Sequence, residues 1–140
     1  MTIEFVVEGQ PQGKQRPKFK RMRSYVTTYT PQKTKSYEEK VKKSYMEQVG
    51  DYKFSDVPIE VHITAYFVIT KSFSKIKKEY AIQNIIKPIK KPDIDNICKV
   101  LLGGLNGVAY DDDKVVTDLI IRKRYSYEPR VEIRIKEVKA

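Results

Sequence analysis

The segment "RVEIRIKEV", residues 130–138, alternates strictly between charged and apolar side chains from Arg130 to Lys136. A period of two is typical of a strand in a sheet that has one buried and one solvated face. Three further segments are apolar and rich in β-branched residues, namely "IEFVV" at 3–7, "IEVHITAYFVI" at 59–69 and "VVTDLIIRKRYS" at 115–126. The chain therefore predicts a sheet of about four strands, mixed or antiparallel, with one face that other elements must cover.

Helices can provide that cover, because apolar residues recur at helical intervals in segments 34–49, 74–85 and 95–105. Ser36 and Glu39 have the spacing of a capping box at the start of the first helix. The order β, α, β, α, α, β, β is typical of an α+β fold with helices packed on one face of the sheet. The whole chain of 140 residues fits a single domain.

The chain has one cysteine, Cys98, which excludes an internal disulfide and a cysteine-based zinc cluster. The N-terminus lacks the basic and apolar regions of a signal peptide. No segment approaches the roughly 18 uninterrupted apolar residues that a membrane span requires. We therefore expect a soluble, cytoplasmic protein without a membrane partner.

Lysine and arginine number 28 against 18 aspartates and glutamates, and the net charge of +10 favours a polyanion as the partner. Much of this charge lies in residues 14–29, which we call the basic arm and predict to be irregular or a hairpin. Phe19, Tyr25 and Tyr29 of the arm could stack on bases, although each taken singly is expected more often in a core. The side chains predicted to contact phosphates are Lys14, Arg16, Lys18, Lys20, Arg21, Arg23, Lys90 and Lys91.

Five acidic residues stand out against this positive background, as Asp93 and Asp95 in "PDIDNICK" and as residues 111–113 in "YDDDK". Ordinary structural roles are open for them. An aspartate at a helix start is a good N-cap, which contributes about 1 kcal/mol. Asp95 and Lys99 have the spacing of a helix ion pair, and three consecutive carboxylates can stand in a solvated turn.

If the two acidic segments fold side by side, they form a site of carboxylate oxygens without histidine, which suits Mg²⁺ or Mn²⁺ better than zinc. A divalent cation held there can act on a phosphodiester. The basic surroundings would attract the nucleic acid that the carboxylates alone would repel. The sequence therefore favours a metal-dependent nuclease, and the alternative is a non-catalytic basic nucleic-acid-binding module whose acidic turn is merely solvated.

Two motifs resemble those of the RusA-type Holliday junction resolvases, namely "KPDIDNICKVLLGGLNGVAYDDDKVV" and "GQPQGKQRPKF", and by order of elements the resemblance covers nearly the whole chain. It implies a homodimeric, Mg²⁺-dependent endodeoxyribonuclease of bacteria and prophages, without a small-molecule cofactor. Such an enzyme resolves four-way DNA junctions by paired symmetric nicks in DNA recombination and repair. The resemblance assigns catalysis to Asp93, Asp95, Asp113 and Lys99, and metal binding to the three aspartates, with Asp112 as a further ligand.

The chain departs from that family in the third helix, where "GGL" replaces a common "DAL" triplet and Gly103 stands in place of an aspartate. Two glycines cost a helix about 1 kcal/mol each relative to alanine, which leaves the length of this helix open. A nuclease with a broader preference for flaps or other branched DNA is also left open. The surface of the dimer reads the shape of the substrate, and the motifs do not encode that surface.

Overall fold

The computed structural model describes residues 1–139. In that part of the chain it contains three α-helices, six strands and one short 3₁₀ helix. In chain order these are β1 Thr2–Glu8, β2 Lys18–Arg21, β3 Val26–Tyr29, α1 Gln32–Gln48, β4 Ile59–Val68, α2 Lys75–Ile82, α3 Ile94–Leu105, the 3₁₀ helix Asp113–Val115, β5 Val116–Ser126 and β6 Arg130–Glu137. The predicted α+β fold is confirmed.

Four of the strands form a mixed sheet in the order β1-β6-β4-β5. β4 is parallel to β5 and antiparallel to β6, and β1 is antiparallel to β6. Alternate residues of β1, β4 and β6 are buried, as the alternation in the sequence predicts. They are Ile3, Phe5, Val7, Ile59, Val61, Ile63, Ala65, Phe67, Val131, Ile133 and Ile135.

The helices α1 and α3 pack against each other and complete the hydrophobic core on the apolar face of the sheet. Helical spacing supplies their buried side chains, which include Tyr37, Val41 and Tyr45 of α1 and Ile97 and Leu101 of α3. The prediction of helices on one face is therefore confirmed. No helix within residues 1–139 is both long enough and apolar enough to cross a membrane.

The two glycines of α3 do not end the helix, which continues to Leu105. A Cβ atom added to Gly104 would lie 3.0 Å from Cβ of Val41 and 3.2 Å from the carbonyl oxygen of Glu38. A Cβ atom added to Gly103 would lie 2.7 Å from Oε2 of Glu38. The missing side chains thus let α3 approach α1 closely, and this packing offsets the low helix propensity of glycine.

The capping box predicted at Ser36 and Glu39 is wrong. The first helix begins at Gln32 with Pro31 as its N-cap, so Ser36 lies inside the helix, where its Oγ accepts a hydrogen bond from Gln32 Nε2 at 3.1 Å. Proline is tolerated at a helix start because the first N–H groups have no partner within the helix. The helix therefore starts at residue 32, before the expected residue 34.

Candidate functional site

Three segments meet at the start of α3. The backbone N–H of Lys14 donates to the carbonyl oxygen of Asn96 at 3.0 Å. A Cβ atom added to Gly13 would lie 2.7 Å from Cβ of Pro92 and 3.1 Å from Cβ of Asn96. Glycine is therefore needed at residue 13 for the N-terminal loop to reach the acidic helix start.

Asp93 is the N-cap residue of α3 by position, with an extended backbone at φ −69° and ψ 153°. Its side chain nevertheless accepts no capping hydrogen bond. Asp93 therefore does not act as a side-chain N-cap, and its exposed carboxylate is free to bind another group. On the neighbouring β5, burial lowers the pKa of Lys123, and the Asp93 carboxylate opposes that shift.

Asp95 and Lys99 form the ion pair that their spacing predicts. Lys99 Nζ lies 4.0 Å from Oδ2 of Asp95, and both side chains are exposed. Exposed pairs of this kind contribute only about 0.3–0.5 kcal/mol, because water screens the charges. Either side chain can therefore turn to a phosphate or a cation at little cost in stability.

The three aspartates of the acidic turn have different surroundings. Asp111 forms an exposed ion pair with Lys53. Asp112 caps the 3₁₀ helix by accepting a hydrogen bond from the N–H of Lys114 at 2.9 Å. Burial raises the pKa of Asp113, hydrogen bonding and repulsion from Asp112 raise it further, and Lys14 opposes these effects.

The two acidic segments lie next to each other, because the 3₁₀ helix that begins at Asp113 contacts α3. Burial raises the pKa of the Cys98 thiol, and the carboxylates of Asp113 and Asp95 add to that effect. One thiol thus lies within the field of a carboxylate from α3 and of one from the acidic turn. Since Lys14 lies near Asp113, the first residue of the basic arm also reaches this place.

Tyr110 holds the acidic turn against α3. Its ring is fully buried, and its hydroxyl donates to the carbonyl oxygen of Leu102 at 2.8 Å. Burial raises the pKa of this phenol, with Asp113 as the next cause. Sequence reasoning noted only an aromatic residue before the aspartates, and it missed this anchoring role together with the contacts of Gly13 and Lys123.

The donor chemistry of the site suits a hard divalent cation. Asp93, Asp95, Asp112 and Asp113 offer only carboxylate oxygens, and the repulsion between Asp112 and Asp113 is of the kind that a cation relieves. Among residues 1–139, no three acidic, histidine or cysteine side chains are already grouped as a metal centre. The carboxylates would therefore have to turn toward one another, which the exposed side chains of Asp93 and Asp95 have room to do.

The basic arm is a hairpin. Its strands β2 and β3 pair only with each other in the described part of the chain, and all eight of their residues are exposed. The expectation that its aromatic residues lie in a core is wrong, because Phe19 is 77% exposed and Tyr25 and Tyr29 are also exposed. All eight side chains predicted to contact phosphates are exposed as well.

Comparison with known proteins gives two matches. A family model described as "Endodeoxyribonuclease RusA" matches residues 8–136. The chain is also 35% identical over 144 residues to a Bacillus subtilis (strain 168) protein named "Uncharacterized protein YqaN". That alignment covers 99% of this chain and 98% of the relative.

Proposed function

Because the chain belongs to the RusA endodeoxyribonuclease family, we propose that it is a divalent-metal-dependent endonuclease that resolves four-way DNA junctions by paired symmetric nicks. The observation that carries this proposal is that the 3₁₀ helix beginning at Asp113 contacts α3, whose first turn carries Asp95. Two acidic segments separated by a helix come together within strongly basic surroundings. We assign the activity to DNA recombination and repair in the cytoplasm.

In this proposal Asp93, Asp95 and Asp113 hold Mg²⁺, for which Mn²⁺ can substitute, and Asp112 is a further ligand. The cation would supply Lewis-acid activation at the phosphodiester. Lys99 would contact the scissile phosphate with its ammonium group, since its exposed pair with Asp95 is weak. Tyr110 and Gly13 position the acidic segments without touching the substrate.

The basic residues of the arm, together with Lys90 and Lys91, would bind the phosphate backbone. Contacts of this kind give affinity without reading the base sequence. The exposed rings of Phe19 and Tyr25 are available to stack on bases that are unpaired at a branch point. Substrate binding and catalysis would thus meet at Lys14, which belongs to the arm and lies beside Asp113.

We further propose that the active form is a homodimer. A four-way junction is resolved by two nicks in strands of like polarity, and a two-fold symmetric dimer presents two identical sites for them. The arrangement of one protomer supports one such site. Light scattering combined with size-exclusion chromatography tests this point directly.

Cleavage of a synthetic four-way junction tests the proposed activity. We expect wild-type protein to cut it in Mg²⁺ and not in EDTA, and to cut linear duplex and flap substrates much less. Asp93→Asn, Asp95→Asn and Asp113→Asn should each lower the cleavage rate at least about 100-fold, since even residues that only support metal ligands contribute 10- to 100-fold. Junction binding should persist in all three variants.

Asp111→Asn is the matched control, because this neighbouring carboxylate pairs with Lys53 at the surface and stands outside the proposed ligand set. It should cleave at the wild-type rate. Full cleavage by all three site variants would refute the assignment of the site. Tight junction binding by a wild-type protein that cleaves nothing would instead favour the non-catalytic binding module, and equal cleavage of flaps and junctions would favour a broader branched-DNA nuclease.

A further inference from the structure

Ile89 is the most exposed large apolar side chain in the described part of the chain, with 99% of its surface accessible. It lies in the segment between α2 and the acidic helix start, four residues before Asp93. An isolated exposed apolar residue needs no explanation by itself. The surroundings of Ile89 make it unusual.

The backbone is fixed on both sides of this side chain. Pro88 is buried, and the carbonyl oxygen of Lys90 accepts a hydrogen bond from Nζ of Lys123 at 2.5 Å. Two residues further on, Pro92 packs against Gly13. Ile89 is therefore presented to solvent by a segment that is anchored on β5 and on the N-terminal loop.

The charges around Ile89 indicate what it contacts. Lys87, Lys90 and Lys91 are all exposed, and no acidic residue intervenes before Asp93. An apolar side chain with exposed lysines on both sides of it in the sequence is poorly suited to a hydrophobic protein surface, where lysine is depleted. It fits DNA, whose phosphates pair with the lysines while its stacked bases accept an apolar group.

We propose that Ile89 is a wedge that inserts between base pairs next to the branch point of the bound junction. Isoleucine is among the side chains that proteins insert between base steps to unstack and bend DNA. Four residues of chain span at most about 14 Å, so the insertion lies within about four base steps of the nick made at Asp93. Stacking is already interrupted at a branch, so the wedge favours junctions over uninterrupted duplex.

This inference rests on the proposed nuclease function and adds to it a residue that selects DNA shape. The test uses four-way junctions with 2-aminopurine next to the branch, with Ca²⁺ in place of Mg²⁺ to slow cleavage. Wild-type protein should raise the fluorescence of 2-aminopurine, because the base becomes unstacked. Ile89→Ser should abolish the rise and lower junction cleavage in Mg²⁺ about tenfold or more, and Ile89→Phe should retain both.

Ile76→Ser is the matched control, since Ile76 is 67% exposed but lies on α2. It should behave as wild type in both assays. Fluorescence and cleavage of Ile89→Ser equal to those of wild type would overturn the wedge. A change of oligomeric state in Ile89→Ser, measured by light scattering, would also overturn it, because the residue would then contact a second protein chain.

The two proposals fail separately in this design. If wild-type protein unstacks the labelled base through Ile89 but cuts no branched DNA in Mg²⁺, the nuclease function is wrong and the wedge stands. If it cuts junctions and Ile89→Ser cuts them equally well, the wedge is wrong and the nuclease stands.

Discussion

The start of α3 and the basic arm carry opposite charges and are built in opposite ways. The acidic site is fixed by close contacts, namely the Gly13 approach to Asn96 and the buried ring of Tyr110 under the turn. The arm is a two-stranded hairpin whose strand residues are all exposed and pair only with each other within the described chain. The acidic site is held in place by packing, whereas the arm is attached mainly through its first residues, Lys14 and Gln15.

This difference follows from what each region would do. Catalysis depends on geometry, and a displacement of about 1 Å can cost about 100-fold in rate. Attraction between ammonium groups and phosphates acts over several ångströms and tolerates movement. In the proposed nuclease, an acidic site on a firmly packed backbone and a loosely attached cationic hairpin would therefore be complementary parts of one DNA-binding surface.

The largest effect we expect comes from truncating a tyrosine in each region. Tyr110→Ala should lower the free energy of unfolding by about 3–5 kcal/mol, because a fully buried aromatic ring is lost. Tyr25→Ala, at 60% exposure in the arm, should change it by no more than about 0.5 kcal/mol. Urea denaturation measures both. Equal losses would show that the arm is packed as firmly as the site.

A smaller effect is expected on DNA binding when the arm loses charge. Replacing Lys18, Lys20 and Arg21 together by alanine should reduce the slope of log affinity against log salt concentration by up to about 2.7, since each phosphate contact contributes about 0.9. Fluorescence anisotropy at several salt concentrations measures the slope. Stability should be unchanged. An unaltered slope would mean that the arm does not touch the phosphates.

Replacing each glycine of α3 by alanine adds a single carbon atom and so tests how closely this helix packs on α1. Gly104→Ala should destabilise the protein by about 1 kcal/mol or more, because its Cβ would press on Val41 and on the backbone of Glu38. Gly103→Ala meets only the end of the flexible Glu38 side chain, so the gain in helix propensity should stabilise the protein by up to about 1 kcal/mol. Thermal denaturation distinguishes these signs, and two changes of the same sign would contradict the description of the helix contact.

The smallest effect concerns the open face of the sheet, which belongs to neither region. Oε2 of Glu60 lies 2.6 Å from Nε2 of His62 and 3.3 Å from Nζ of Lys136. The hydrogen bond to His62, with a smaller effect of Lys136, holds the pKa of Glu60 below its ordinary value. A lowered folded-state pKa contributes stability that is present above the ordinary glutamate pKa and is lost as the pH falls through the folded-state value.

Glu60→Gln removes that contribution. The difference in unfolding free energy between wild type and this variant should therefore be larger at about pH 7 than at about pH 3. Urea denaturation at the two pH values measures it. A difference that does not depend on pH would show that Glu60 titrates normally in the folded protein.

Much of the fold could be predicted from the sequence because it depends on local periodicity. The alternation at residues 130–136 and the helical spacing at 95–105 correspond directly to β6 and α3. The capping box failed because Ser36 and Glu39 match only a short pattern, while the helix already begins at Gln32, four residues before Ser36. The exposure of Phe19 and Tyr25 was missed because aromatic residues carry no local mark of burial.

Only part of the candidate site could be predicted from the sequence. Composition identified the two acidic segments, whose chemical roles stay predictions. Contacts such as Gly13 with Asn96 and Lys123 with Lys90 join residues far apart in the chain, and no short-range pattern encodes them. The need for glycine at residue 13 therefore becomes clear only when the position of α3 is known.

The parallel pairing of β4 with β5 has a further consequence. Two neighbouring parallel strands cannot be joined by a tight turn, so the chain must return to the opposite end of the sheet before β5 begins. This crossover connection runs from residue 69 to residue 115 and contains Ile89 and every aspartate of the acidic site. The proposed metal ligands thus lie on a connection that the topology requires in any case, and its exposed segments can change in length or sequence while the strands keep their register.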